Sequence, residues 1–251
     1  MSQHRLAIVT GTSSGIGETL ARQLLERGWY VYGISRRTTP VRAPQYTHLQ
    51  FDLGDVTGLT AALDTKLAPV VSDSAVTRLA LVNNAALVAL MGQVDQLEPA
   101  GMMQAYAVNT VAPVLLMGWL LRTAAPNVPV RIVNVSSGAA IDPFPGLGTY
   151  GTTKAALRLA GMVLAAELDA RAANGPARDA TIWSYEPGVV DTPMQLAVRT
   201  STAETVPIVD IFKQLAGEGR LLAPEVPASE IVAYVEADGP PRFSEQRFIL
   251  S

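Results

Sequence analysis

Tyr150 and Lys154 stand four residues apart in Tyr150-Gly151-Thr152-Thr153-Lys154. On a helix that spacing puts a phenol and an ammonium on one face, a single turn apart. The chain has seven tyrosines and only three lysines, so composition alone supplies roughly 0.08 such pairs and the match is informative. A second pattern, Thr10-Gly11-Thr12-Ser13-Ser14-Gly15-Ile16-Gly17, has the make-up of a phosphate cradle. Gly11 allows a tight turn, and Gly15 lets the backbone approach a pyrophosphate with no Cβ in the way. Gly17 permits close helix–strand contact. A helix opening at Ile16 then offers free N–H groups and a partial positive charge to the phosphates. Further on, Ser35 is followed by Arg36 and Arg37, with no carboxylate at that turn. Two guanidiniums suit a 2′-phosphate, which points to NADP rather than NAD.

The segment Gly11-Thr12-Ser13-Ser14-Gly15 also fits the G-x-S-x-G turn that presents a hydrolase serine. Such a triad needs a histidine after its acidic member. Only His48 follows Ser13, and it precedes a strand, so the hydrolase reading fails on histidine supply.

Elements that alternate between strand and helix must position these groups. Short apolar runs predict strands at 6–9, 30–35, 48–52, 79–82, 130–135 and 181–185, with a seventh at 247–250. Most are apolar on both faces, as in parallel strands covered on both sides. Ile16, Leu20 and Leu24 mark a first helix that ends at Gly28. Further helices are expected at 59–67, 96–123 and 150–173. The expected fold is α/β, a doubly wound parallel sheet of Rossmann type in three α/β/α layers, with 1–251 as one domain. Ligands in such sheets sit beyond the carboxyl ends of the strands.

Composition removes other classes. The 251 residues are 49% hydrophobic and 16% charged, with a net charge of −3 and no cysteine. A disulfide framework, a thiolate metal site and a cysteine nucleophile are excluded. Two histidines, His4 and His48, do not make a multi-histidine centre, so no metal is expected, and both are read as solvent-facing. The charge balance gives no footprint for nucleic acid. The longest apolar run, 111–121, has 11 residues and contains Pro113. A membrane span needs ~20, so no membrane association and a cytoplasmic location are expected.

Together these residues resemble the short-chain dehydrogenase/reductase family over nearly the whole chain. The matching features are TGTSSGIG, Asn83-Asn84-Ala85 after the fourth strand, Asn109, Ser137, Tyr150, Lys154 and the PGVVDT stretch at 187–192. One departure is Ala86, where the family usually has glycine; the resemblance implies that its methyl would be tolerated while slightly crowding the backbone near the cofactor.

The resemblance implies roles. Tyr150 would be the general acid that protonates the carbonyl oxygen as hydride reaches carbon. Bringing a phenol from pKa ~10 to near 7 takes about 4 kcal/mol, which Lys154 and an oxidised nicotinamide would supply. Lys154 would also hold the nicotinamide ribose, Ser137 would hydrogen-bond the substrate oxygen, and Asn109 would support a water relay. Asp52 and Leu53 would edge the adenine. Asn83, Ala85, Pro187, Val190 and Thr192 would complete the NADP(H) site with Gly11, Ser13, Ser14, Gly15, Ile16, Gly17, Arg36 and Arg37.

The segment 192–222 would be a lid. Its Val206, Ile208, Ile211, Phe212 and Leu215, with Ile141, Phe144 and Leu147, suggest a hydrophobic small-molecule carbonyl substrate. The strings GISRR and EPGVVDTPMQ resemble the sepiapterin- and benzil-reductase branch, which reduces vicinal dicarbonyls with NADPH. A generic ketone or 3-oxoacyl reductase, or an alcohol dehydrogenase, is the second reading, although the glycine-rich last strand common in 3-oxoacyl reductases is missing. A non-catalytic NADP sensor is the third; such proteins usually lose the tyrosine or lysine, and both are here. The apolar helices 96–123 and 150–173 suggest a homodimer or homotetramer built on a four-helix contact.

Overall fold

A computed structural model describes residues 3–88 and 90–247. Strand β1 (His4–Thr10) sends Leu6 and Ile8 into one apolar cluster and Ala7 and Val9 into another, all of them buried. A strand of this kind must be covered on both faces. The chain continues through α1 (Gly15–Glu26), β2 (Tyr30–Ser35), β3 (Tyr46–Gln50), α2 (Val56–Lys66), the short α3 (Ala68–Val71) and β4 (Val76–Asn83). Next come α4 (Pro99–Tyr106), α5 (Ala112–Thr123), β5 (Val130–Val135), α6 (Gly148–Ala172) and β6 (Ala180–Tyr185). The described chain closes with α7 (Pro193–Arg199), α8 (Val209–Gly217), α9 (Glu225–Glu236) and β7 (Phe243–Gln246).

Among the described residues every strand pairing is parallel, in the order β3-β2-β1-β4-β5-β6-β7. The expected doubly wound α/β sheet is what the chain forms. One face is covered by α2, α3, α5 and α6 through Leu59, Val71, Leu116 and Leu157. The other is covered by α1 and α9 through Leu20, Leu24, Ile231 and Val235, with Trp29 beside them. Strand order reverses between β1 and β4, and such a switch point opens a crevice at the strands' carboxyl ends.

Several boundaries differ from the sequence-based expectation. The third strand starts at Tyr46 and stops at Gln50, because its register runs Val31↔Tyr46 to Ser35↔Gln50. Asp52 therefore falls in the loop, where its side chain accepts from Gly54 N–H at 2.9 Å. The last described strand is Phe243–Gln246, pairing Phe243 with Ile182; of the expected strand, 248–250 lie outside the described residues. The expected helix 96–123 is two α-helices joined by a π-helical turn, Ala107–Val111. Helix α9 has no counterpart in that reading, although Ala228, Ile231, Val232 and Val235 recur at helical spacing and are buried. The histidines are not simply solvent-facing, since His48 Nε2 lies 3.0 Å from Ser35 Oγ and His4 packs 4.7 Å from Tyr30.

The helical stretch Pro99–Thr123 has 25 residues and, by length and composition, is apolar enough to cross a membrane. Half of its most apolar window is buried in this fold, and its Leu116 and Leu120 belong to the core. Burial of that kind marks a core helix.

Candidate active site

The cradle follows β1 directly. Gly11 has φ +79° and Gly15 φ +59°, backbone that an L side chain rarely adopts. A Cβ at Gly15 would stand 3.1 Å from Thr192 Cγ2, filling the gap between the cradle and the far wall. One at Gly17 would overlap the Gly11 carbonyl, so α1 can approach the turn only without it. Ser14 precedes α1 in extended conformation and makes no side-chain cap. The first amides of α1 thus have no side-chain acceptor, which suits the phosphates of a dinucleotide. Asn84 braces the turn, donating from Nδ2 to Thr10 O at 2.9 Å.

The cleft at this end of the sheet measures about 1020 Å³. At one end of it, Arg37 Nη2 donates to the hydroxyls of Ser13 and Ser14, each at 3.3 Å. Arg36 stands 4.0 Å from Asp52, and both side chains are about half exposed. Arg37 thus reaches the cradle serines while Arg36 stands by Asp52, and the buried Leu53 lines the same cleft.

At the other end, Tyr150 sits in the first turn of α6, which packs tightly on the turn Gly138–Ala140. Gly151 makes that approach possible, since a Cβ there would stand 2.6 Å from Ala139 O. Contact of the two segments brings the Ser137 hydroxyl into hydrogen bonding with Tyr150. Lys154 is buried, donates from Nζ to Val135 O at 2.7 Å, and lies 5.6 Å from the Tyr150 ring centre. Burial pushes the Tyr150 phenol up to about 12, against the pull of Ser137 and with a push from the Glu186 carboxylate. Burial also lowers Lys154 to about 8. Desolvation of the phenolate dominates, and the Lys154 ammonium is turned to a carbonyl.

Asn109 lies in the π-helical turn, fully buried. Its Oδ1 accepts from Leu87 N–H at 2.7 Å, and its Nδ2 donates to Leu87 O at 2.9 Å and Thr153 Oγ1 at 3.0 Å. Both amide donors are occupied, so a water beside this residue would be held by one of its carbonyl oxygens, side-chain or backbone. Thr153 in turn donates to Tyr150 O at 2.7 Å.

Residues 5–203 match the model of the short chain dehydrogenase family. The chain belongs to that family. A benzil reductase ((S)-benzoin forming) of Bacillus cereus is 34% identical over 242 residues, covering 93% of this chain and 95% of the relative. A sepiapterin reductase of Xenopus tropicalis is 29% identical, covering 93% and 92%. A short-chain dehydrogenase/reductase structure from Saccharomyces cerevisiae superposes with a TM-score of 0.81 at 23% identity, over 96% of this chain and 95% of that one. The protein is an oxidoreductase of a family that binds a nicotinamide cofactor.

In this short-chain dehydrogenase the cleft gathers Gly11, Ser13, Ser14, Gly15, Ile16, Arg36, Arg37, Asp52, Leu53 and Ala85 with Ser137, Tyr150, Lys154, Pro187, Val190 and Thr192. Three expected residues do not line it. Gly17 is packed beneath the cradle, and Asn109 sits behind Leu87 and Thr153. Asn83 is turned into the sheet, where its Nδ2 donates to Asn134 Oδ1 at 2.8 Å. Its neighbour Asn84 lines the cleft instead, because side chains alternate along β4. Glu186 also lines the cleft without having been assigned a role; its position just after β6 was the available signal.

Proposed function

We propose that the chain is an NADPH-dependent carbonyl reductase acting on hydrophobic ketones, with vicinal diketones as the substrate class. The observation that carries this reading is the meeting of Ser137, Tyr150 and Lys154 in a cleft whose far end holds Arg36 and Arg37. The cradle fits a dinucleotide and the arginine pair fits a 2′-phosphate. NADPH, when bound, supplies the hydride. Tyr150, protonated throughout the neutral range, donates its proton to the carbonyl oxygen, and Ser137 offers that oxygen a second hydrogen bond. Lys154 supports the developing phenolate with its charge and would hold the nicotinamide ribose when the cofactor is bound.

Phe144, Leu147, Met194, Ile208, Ile211 and Phe212 give the substrate end its apolar walls. The names of the Bacillus and Xenopus relatives support the dicarbonyl assignment. Segment 192–222 leaves and rejoins the body beside the parallel bridge Val190↔Leu222, so it has the base of a lid. Exposed Val114 on α5 with Leu159 and Val163 on α6 fit a homodimer or homotetramer, and we place the enzyme in the cytoplasm.

Initial rates of NADPH oxidation, with NADH as control, test this on benzil and aliphatic vicinal diketones. NADPH-selective turnover is expected. Protein that binds NADPH and reduces none of them overturns the diketone assignment. Retention of turnover by Tyr150→Phe overturns the general-acid role.

A further inference from the structure

The part of the cleft where Arg36 and Arg37 stand is held from a strand at the edge of the described sheet. Leu49 of β3 packs on one apolar cluster and Tyr46 on the other, so Tyr46, His48 and Gln50 share the face opposite Leu49. Each of the three reaches a different piece of the cleft's rim. The Tyr46 hydroxyl lies 2.9 Å from Thr12 Oγ1 inside the cradle. Gly33 on β2 leaves the space for that contact, since a Cβ there would collide with the Tyr46 hydroxyl and stand 2.5 Å from Thr12 Oγ1. His48 Nε2 lies 3.0 Å from Ser35 Oγ, which donates to Arg37 O at 2.8 Å. A carbonyl has no proton to give, so the Ser35 hydrogen goes to Arg37 O and its oxygen accepts from His48 Nε2–H. Gln50 Nε2 donates to Arg36 O at 3.0 Å.

The β2–β3 register ends at Ser35↔Gln50, so residues 36 and 37 lie past the ladder and their carbonyls are held by side chains. Arginine gives up much rotamer freedom when it grips an anion. A turn whose backbone is already fixed leaves only the side chains to be ordered. The hold from β3 therefore reaches both guanidiniums without touching either.

We propose that this face of β3 is a template for cofactor recognition and that its members act on different parts of the cofactor. Tyr46 positions the cradle, which serves the pyrophosphate of either dinucleotide. His48 and Gln50 position the arginine turn, which serves the 2′-phosphate, and so they set the preference for NADPH over NADH. The inference rests on the NADPH reading, and it is tested by binding so that the two can fail separately.

NADPH and NADH are titrated by fluorescence into the full chain and its variants. Wild type should bind NADPH about tenfold or more tightly than NADH. His48→Leu and Gln50→Met should each weaken NADPH about threefold or more, and together about tenfold, with NADH within about twofold of wild type. His48→Gln, whose amide nitrogen can replace Nε2, should recover most of the loss. Tyr46→Phe should weaken both cofactors alike, by about threefold or more. Equal loss of both cofactors in the His48→Leu and Gln50→Met variants, unchanged NADPH binding in the double variant, or no recovery in His48→Gln overturns the proposal. A loss confined to NADPH in Tyr46→Phe, or no loss there, overturns the division of roles. Wild type that binds the two cofactors alike sinks the NADPH reading and the template with it. A preference that Arg37→Ala abolishes and the double variant keeps sinks the template alone. Absence of diketone turnover bears on the reductase reading and leaves these affinities to decide the template.

Discussion

Burial moves Tyr150 and Lys154 in opposite directions, the phenol up to about 12 and the ammonium down to about 8, because each loses hydration of its charged form. For reduction the pair is well placed. Tyr150 keeps its proton at neutral pH, and the group that titrates nearest the working range is Lys154. Since its charge is lost as pH rises through about 8, reductive kcat/KM should fall along a single limb centred there. Lys154→Arg, whose guanidinium stays charged, should be slower but lack that limb between pH 7 and 10; a pH–rate series on both proteins checks this. Tyr150→Phe should lose about 10²–10⁴-fold in turnover with NADPH affinity preserved, measured by fluorescence titration. Arg37→Ala removes a charged donor from Ser13 and Ser14 and, on the proposed NADPH reading, from the 2′-phosphate. NADPH affinity should drop about tenfold or more while NADH affinity stays level, by the same titration.

Among the elements, α6 and the α4–α5 pair do most to assemble the site. The i,i+4 spacing puts Tyr150 and Lys154 on one face of α6, but the approach of α6 to the 138–140 turn depends on Gly151. Gly151→Ala has to push Ala139 O away from a 2.6 Å contact, so it should separate Tyr150 from Ser137. The expected result is a loss in kcat of about tenfold or more, with NADPH binding retained, by steady-state kinetics. The π-helical turn at Ala107–Val111 turns Asn109 inward to clasp Leu87 on both backbone groups. Asn109→Ala leaves the Leu87 N–H and C=O without that partner and should cost about 2–3 kcal/mol of stability, read as a lower denaturation midpoint. No periodicity argument would locate that turn. An apolar run such as 111–121 reads as one continuous helix, and the π turn arises where Asn109 is drawn to Leu87 and Thr153.

For the whole molecule, the parallel sheet and its reversal between β1 and β4 set where every motif ends up. Motif residues as far apart as Gly11 and Thr192 line one cleft because most of them follow the carboxyl end of a strand or open the helix after it. The exposed apolar residues of α5 and α6 belong to this scale too. Leu159 is 58% exposed and Val163 50%, one turn apart on α6. Such a patch is costly to leave in water, and a second copy would cover it. Sedimentation velocity should show a dimer or tetramer, and Leu159→Glu with Val163→Glu should yield monomer; a wild-type monomer would refute the assembly.

Local chemistry was legible in the residues themselves. The glycine spacing, the arginine pair and the Tyr-Lys step each depend on neighbours within a few positions, and strands apolar on both faces already imply a covered parallel sheet. Tertiary structure decided what depends on distant partners. Pairing with β2 set the ends of β3, and alternation at the end of β4 sent Asn83 to Asn134 and Asn84 to the cleft. Packing drew the helix break to Asn109, and burial carried the Tyr150 phenol upward. Glu186 became a neighbour of Tyr150 because β6 and the start of α6 meet at the same edge of the cleft. Desolvation and side-chain direction are set by what surrounds a residue in space, and that surrounding comes from the fold.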